Sequence, residues 1–284
     1  MYKLYNDNSL NVLDTFADNS IDAIITDPPY GITHLDKEFN PDILNNTAKS
    51  GGMFKGNNLG GMKFSNNQNK QTYNFLLPFF QKSLRVLKPG AFCIVFSQGR
   101  LVAGVMNALI EAGFEIREQM FWRKPSAKPN QQTPWKKNSK NKDFTNRVVF
   151  GPGKVIEPFI IAQKPIEGSY SENYLKYHTG LVNKELATTT VFEEAAPSKD
   201  EKQGLQHPTI KPIKLMERII ETFTEENQTV LDIFNGSGST GIAALNKNRN
   251  YIGIELNKQY YKESLKRFAT INSQKTKNCK KISS

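Results

Sequence analysis

Thr26-Asp27-Pro28-Pro29-Tyr30 attaches a carboxylate, two prolines and an aromatic ring to the end of the apolar run Ile21 to Ile25. The run predicts a buried strand, so these residues fall at its carboxyl end, where open α/β sheets bind their ligands. Such a group suits a planar amine. The Asp27 carboxylate can accept a hydrogen bond from an exocyclic NH2, Pro28 and Pro29 fix the turn so that backbone carbonyls point into a pocket, and Tyr30 offers a stacking face. Taken alone, Asp-Pro-Pro also simply ends a strand, because proline cannot donate to a ladder and aspartate favours turns.

A second group of residues lies more than 200 positions away. Thr229-Val-Leu-Asp232-Ile-Phe234 reads as another buried strand, followed by the glycine-rich turn Asn235-Gly236-Ser237-Gly238-Ser239-Thr240-Gly241, a helix over Ile242 to Asn246 and a strand over Tyr251 to Glu255. Gly236, Gly238 and Gly241 carry the spacing G-x-G-x-x-G, and Glu255, 19 residues beyond the first of them, suits the hydroxyls of a ribose. This is half of a nucleotide-binding fold. Alone it fits a nicotinamide dinucleotide or S-adenosylmethionine equally, since both carry an adenosine.

Together the two groups resemble the amino-methyltransferases of DNA, which move a methyl group from S-adenosyl-L-methionine to the exocyclic nitrogen of adenine or cytosine. The order, with Asp27-Pro28-Pro29-Tyr30 early and Phe234-Asn235-Gly236-Ser237-Gly238 late, is similar to that of the circularly permuted beta group. Arg85-Val86-Leu87-Lys88-Pro89-Gly90, Glu157-Pro-Phe-Ile-Ile-Ala-Gln-Lys164 and His207-Pro208-Thr209-Ile210-Lys211-Pro212 extend the likeness over most of the chain. The resemblance implies a Rossmann-like methyltransferase sheet, α/β and mostly parallel, with an inserted target-recognition region. It implies catalysis by Asp27, Pro28, Pro29 and Tyr30, the last stacking on a base flipped out of the duplex. For the cofactor it implies Asp7 on the adenine amine, Phe234 against the adenine ring, and Asp232, Asn235, Gly236, Ser237 and Gly238 shaping the turn. Glu255 would hold the ribose, His207, Thr209 and Lys211 the methionine part, and Asp27 would border it. Adenine N6 is the expected target, because aspartate before Pro-Pro-Tyr usually goes with adenine and serine with cytosine. Cytosine N4 is the alternative. An NAD-dependent oxidoreductase reading rests on the glycines alone and leaves Asp27 to Tyr30 unexplained. A third reading is a catalytically dead DNA-binding module.

The 284 residues carry 38 Lys and Arg against 27 Asp and Glu, a net of +11, which favours a polyanionic partner. Placement sharpens this. Between positions 123 and 147 stand Arg123, Lys124, Lys128, Lys136, Lys137, Lys140, Lys142 and Arg147 against the one acid Asp143, with Trp122, Trp135 and Phe144 interleaved. Cations mixed with aromatics suit phosphate contacts and base stacking. Double-stranded DNA is therefore the expected partner, with a cognate restriction endonuclease, and the choice between monomer and homodimer, left open by the sequence. Cys93 and Cys279 suggest neither a disulfide nor a metal site, and neither sits in the proline-flanked turn that cysteine-dependent methylation of a ring carbon would need. No metal is expected. No run reaches the roughly 20 apolar residues of a membrane span and no signal peptide is evident, so the expected location is cytoplasmic.

The elements that must position these residues alternate. Strands are predicted over Ile21–Thr26, Ala91–Ser97, Phe114–Trp122, Pro158–Ala162, Thr229–Ile233 and Tyr251–Glu255, with helices over Tyr73–Leu87, Gly99–Ala112, Pro212–Phe223 and Lys258–Thr270. Residues 1–165 would form the catalytic half, including a mobile loop over 33–72 and the basic segment 123–147. Residues 166–206 would form the target-recognition region, where Tyr170, Tyr174, Tyr177, His178 and Lys184 either contact DNA or pack a small subdomain. Residues 207–272 would form the cofactor half, and 273–284 a frayed basic tail. The motif order further requires Tyr251 to Glu255 to lie beside the first strand and its surroundings, residues 1–26.

Overall fold

The computed structural model describes residues 1–29, 67–126, 153–202, 205 and 210–282, with backbone alone over 271–282. Eight strands form one sheet: β1 (Tyr2–Tyr5), β2 (Ile21–Thr26), β3 (Leu87–Phe96), β4 (Glu115–Arg123), β5 (Ile156–Gln163), β6 (Val191–Glu193), β7 (Thr229–Asp232) and β8 (Asn250–Ile254). Their spatial order is β1-β8-β7-β2-β3-β5-β4-β6. All pairings are parallel except those of β5, which runs antiparallel to both β3 and β4. The expected mostly parallel sheet is what forms.

Helices cover both faces of the sheet. On one side α1 (Ser9–Asp14), α2 (Gln68–Val86) and α3 (Val102–Glu111) bury Leu13, Phe80 and Leu109 with the β2 side chain of Ile24. On the other, α6 (Ile213–Phe223), α7 (Ser239–Asn246) and α8 (Lys258–Ile282) bury Ile219, Ile242 and Phe268 against Ile25 and Val230. Two short helices, α4 (Tyr170–Tyr177) and α5 (Lys199–Lys202), complete the described elements. With both faces covered, every residue of β2 is buried, which explains why its sequence is an apolar run rather than an alternation. In α6 the buried set Leu215, Met216, Ile219, Ile220 and Phe223 follows the helical period, each side chain contributing roughly 1.5–3 kcal/mol by leaving water.

The cofactor half inserts into the middle of the first half. β8 and β7 lie between β1 and β2, with Tyr2 opposite Tyr251 and Ala23 opposite Val230. The expected closeness of the first 26 residues to Tyr251–Glu255 is met by β1 itself, a strand whose four residues carried too little pattern to be predicted.

Three expectations change. α2 begins at Gln68 rather than Tyr73, so 68–72 are helical where a loop was expected over 33–72, and the rest of that expected loop, 33–66, lies outside the described residues: residues 68–77 contain no glycine or proline, and Leu76, Phe79 and Phe80 supply a buried face that draws the helix back. α8 runs to Ile282, past its predicted end at Thr270 and into the tail expected to fray over 273–284, since no residue from Lys258 to Ile282 breaks a helix. Trp122, grouped above with the stacking aromatics, is a core residue. The alternation of β4 turns its ring inward, and its Nε1–H donates to the Glu194 carbonyl at 2.8 Å.

Candidate active site

The two groups of chemistry-bearing residues meet at adjacent strand ends. β2 and β7 are parallel neighbours, so Thr26-Asp27 and Asp232-Ile233-Phe234 emerge at the same edge of the sheet. The next described element after β2, α2, packs on one face, and the element after β7, α7, packs on the other. This divergence is a topological switch point, where a crevice opens at the carboxyl ends of the strands. A hydrogen bond locks the two ends together: Thr26 Oγ1 donates to Asp232 Oδ1 at 2.7 Å.

Asp232 braces the crevice from behind. It is buried, and the same Oδ1 accepts the Phe234 N–H at 3.0 Å. Burial pushes its carboxyl up to about 6 from the ordinary 3.8, against hydrogen bonds from Thr26, Thr240 and the Phe234 backbone that pull it down. Asn235 is likewise turned inward, accepting from Tyr251 Oη at 2.8 Å.

The glycine-rich turn is shaped by close approach. Gly236 and Gly238 hold φ of +52° and +82°, in the left-handed region that favours glycine. A Cβ on Gly238 would come within 2.6 Å of Phe268 Cε2, and one on Gly241 within 2.3 Å of both Phe268 Cζ and Tyr251 Cε1. Arg267 fastens the turn from α8, donating to the Ser237 carbonyl at 2.7 Å and to Ser237 Oγ at 3.2 Å. No spacing in the sequence announces Arg267, which reaches the turn across the fold.

Glu255 follows β8 at the neighbouring strand end. One carboxylate oxygen accepts the Gly236 N–H at 2.7 Å and the other the Asn257 N–H at 2.8 Å. The Glu255 carbonyl takes Asn6 Nδ2 at 2.8 Å, which sets Asp7 beside the same edge. Asp7 is exposed and accepts from the Asn8 N–H at 2.6 Å. Phe234 is nearly buried and packs on Phe79, with ring centroids 5.1 Å apart, and on Phe75 at 6.1 Å. The α2 aromatics thus back the ring expected to meet an adenine. An acidic group on two backbone N–H donors, a turn opened by glycines and an aromatic wall fit an adenosine-bearing cofactor.

Lys211 is buried and pairs directly with Asp27 Oδ2, with Glu157 Oε2 at 3.9 Å and the Phe96 ring centroid at 4.8 Å. Pro28 is buried and Pro29 partly so. Of the basic residues, Arg123 pairs with Glu193 of β6 at 2.6 Å and Lys124 pairs with Glu157. Tyr30, His207, Thr209, Lys128, Trp135, Lys136, Lys137, Lys140, Lys142 and Arg147 lie outside the described residues.

Part of the expected target-recognition region sits at the other edge. Asn173 Nδ2 and Thr179 Oγ1 donate to the carbonyl of Pro89, near the start of β3, and Tyr174 pairs with Glu225. Tyr174 is thus tied to the amino edge of the sheet, with His178 exposed at the end of α4. A cavity of about 500 Å³ opens there between Tyr174, His178, Glu225 and Arg249, away from Asp27. Residues from Val191 onward return to the Asp27 edge: β6 pairs with β4 at Phe121–Arg123, and Glu201 accepts the Ile213 N–H at 3.1 Å.

Residues 21–266 match the family model described as DNA methylase. The chain belongs to that family. This methylase is 28% identical over 270 residues to the Type II methyltransferase M2.MboI of Moraxella bovis, covering 95% of this chain and 88% of that protein. Its fold is similar to that of the M1.HpyAVI–SAM complex, with a TM-score of 0.59 at 22% identity over 94% of this chain and 99% of the other. It is also similar to the cytosine-N4-specific PvuII DNA methyltransferase, with a TM-score of 0.63 at 19% identity, covering 94% and 86%. Among the described residues, no helix of the methylase is long and apolar enough to cross a membrane, and no group of three metal-ligating side chains occurs.

Proposed function

We propose that this methylase is a beta-group amino-methyltransferase that transfers a methyl group from S-adenosyl-L-methionine to adenine N6 in double-stranded DNA. The observation that carries the reading is the Thr26–Asp232 hydrogen bond, which joins the Asp27 turn to the glycine-rich turn at the switch point of the sheet. An amine acceptor and a nucleotide cradle then face one crevice, as a transfer between a base and a nucleotide cofactor requires.

The cofactor supplies a sulfonium-bound methyl group, an electrophile that needs no further activation. The residues of this chain have the harder task, because the lone pair of an adenine amine is delocalised into the ring. The Asp27 carboxylate and the Pro28 carbonyl accept the two amine hydrogens, which favours a pyramidal nitrogen with its lone pair directed at the methyl group. Positioning and fixed charge supply most of the gain. Tyr30 stacks on the flipped base. Glu255 takes the ribose hydroxyls, Phe234 lines the adenine, Asp7 meets its amine, and His207, Thr209 and Lys211 hold the methionine part. Asp232, Asn235 and Ser237 act behind the surface, by fixing the turn that Gly236 and Gly238 open. The basic segment 123–147 binds phosphates, and target reading falls to that segment and to the part of 166–206 that begins at Val191, since this part shares the Asp27 edge.

Asp27 ahead of Pro28-Pro29-Tyr30 favours adenine over cytosine. The test is expression in cells lacking adenine methylation, with modification-sensitive long-read sequencing of their DNA. N6-methyladenine in one short motif, lost in Asp27→Ala, is expected. N4-methylcytosine would keep the fold and mechanism and overturn the base, while unmodified DNA from a folded protein that binds S-adenosylmethionine would overturn the substrate.

A further inference from the structure

Glu157 has no part in the chemistry above, although it stands two side chains from Asp27. It pairs with Lys124 through Oε1, and its Oε2 lies 3.9 Å from the Lys211 ammonium, which in turn pairs with Asp27. The four groups form a line of alternating charge, Lys124, Glu157, Lys211, Asp27. None is well exposed: the side chains retain 17, 27, 8 and 17% of their accessible surface, so solvent screens them less than surface pairs. Two aromatic faces steady the cations, Trp122 under Lys124 at 4.5 Å and Phe96 under Lys211 at 4.8 Å.

We infer that Glu157 is a positioning residue that couples DNA engagement by Lys124 to the Asp27 carboxylate through Lys211. The inference rests on the proposed function, in which Asp27 receives the target amine. Lys124 opens the basic segment, and a DNA phosphate there competes with Glu157 for its ammonium. Once Lys124 turns to the phosphate, Lys211 is the nearest cation to Glu157 among the described residues. The 3.9 Å gap is about 1 Å longer than a charge-assisted hydrogen bond, so it has room to close. Closing it draws Lys211 from Asp27 and opens an acceptor position on that carboxylate to the incoming amine. Before DNA arrives, Lys211 covers the acceptor. Glu157 also fixes β5 against β4, where it stands opposite Trp122, and a purely structural role would end there.

The experiment is steady-state methylation of genomic DNA from cells lacking adenine methylation, comparing wild type, Glu157→Gln and Glu157→Asp. The inference expects kcat of Glu157→Gln to fall about tenfold with KM for DNA within about twofold, as for an interaction used only after DNA binds. Glu157→Asp keeps the charge and is expected to recover at least about a third of kcat. Thermal unfolding within a few degrees of wild type is expected for both. An unchanged kcat in Glu157→Gln overturns the inference while leaving the methyltransferase reading intact. Equal losses of kcat in both variants, matched by a fall in thermal stability, assign Glu157 to packing and overturn it too. Should Glu157→Gln not fold, the Glu157→Asp variant decides by the same split, since an unchanged KM beside a lowered kcat is required. No methyl transfer by wild type overturns the proposed function and this inference with it.

Discussion

Replacing Asp232 by asparagine removes a buried charge while keeping an oxygen for the Thr26 hydroxyl and the Phe234 N–H. In the native protein the carboxyl titrates near 6 rather than 3.8, because burial disfavours its ionised form. A gap of about two units at roughly 1.36 kcal/mol each comes to about 3 kcal/mol. The native carboxyl holds its proton more tightly than the unfolded one, so between pH 4 and 6 the native state binds more protons and stability falls as pH rises. Below about pH 4 this cost is absent, and above about pH 6 it is complete. The amide of the variant has no such titration. The stability of Asp232→Asn relative to wild type should therefore increase by about 3 kcal/mol from pH 4 to pH 7, read from urea unfolding of both proteins at each pH. The other carboxylates cancel in this difference. A difference that is flat across that range, or that shrinks as pH rises, would refute the assignment of a desolvated carboxyl at the base of the crevice.

The remaining expectations concern the turn, the cofactor and DNA. Alanine in place of glycine inside an exposed helix ordinarily stabilises by about 1 kcal/mol, yet Gly241→Ala should destabilise by roughly 1–3 kcal/mol in thermal unfolding, because its Cβ would meet two buried rings at 2.3 Å. Gly238→Ala adds a left-handed backbone to a 2.6 Å approach and should lose comparable stability together with cofactor affinity; a neutral result would mean the turn is not held by Phe268. Glu255→Gln should weaken S-adenosylmethionine binding by about 10- to 100-fold in calorimetry and cost about 1–3 kcal/mol of stability, because its one amide oxygen can serve only one of the Gly236 and Asn257 N–H groups. Unchanged affinity there would remove Glu255 from the ribose. Lys124→Met should lower the salt slope of DNA binding by about one, as expected for the loss of one phosphate contact, whereas an unaltered slope would take Lys124 off the DNA.

What the sequence made legible follows from where its patterns are local. β2 was predicted with both its ends correct, because a strand covered on two faces is mostly apolar, its polar residues Asp22 and Thr26 being paired with Lys88 and Asp232. The amphipathic α6 was predicted to within a residue for the converse reason, its apolar positions repeating at the helical period over three turns. The glycine-rich turn was legible because close packing against Phe268 and Tyr251 admits only glycine at two of its positions. Short elements at the margins were not. β1 and β6 contain strand-favouring Tyr, Val and Phe but, at four and three residues, are too short to show a period, and they are fixed by the neighbours they pair with, Tyr251–Ile254 and Phe121–Arg123.

The sequence offers the candidate site as a set of residue types, whereas its contacts come only from the fold. Asp27 and Glu255 were found because each stands beside a motif, whereas the Thr26–Asp232 bond joins positions 206 residues apart and exists only because β7 inserts beside β2. Lys211 illustrates the difference most sharply. Its motif pointed to a cofactor carboxylate, but the sheet carries β5 past the end of β3, and so sets Glu157 and Asp27 on either side of the same ammonium. A cation held between two carboxylates has alternatives that a cation with one partner lacks. The order of strands, rather than any motif, gives Lys211 that choice, and this is why its response to DNA must be measured on Glu157 as well as on Lys211 itself.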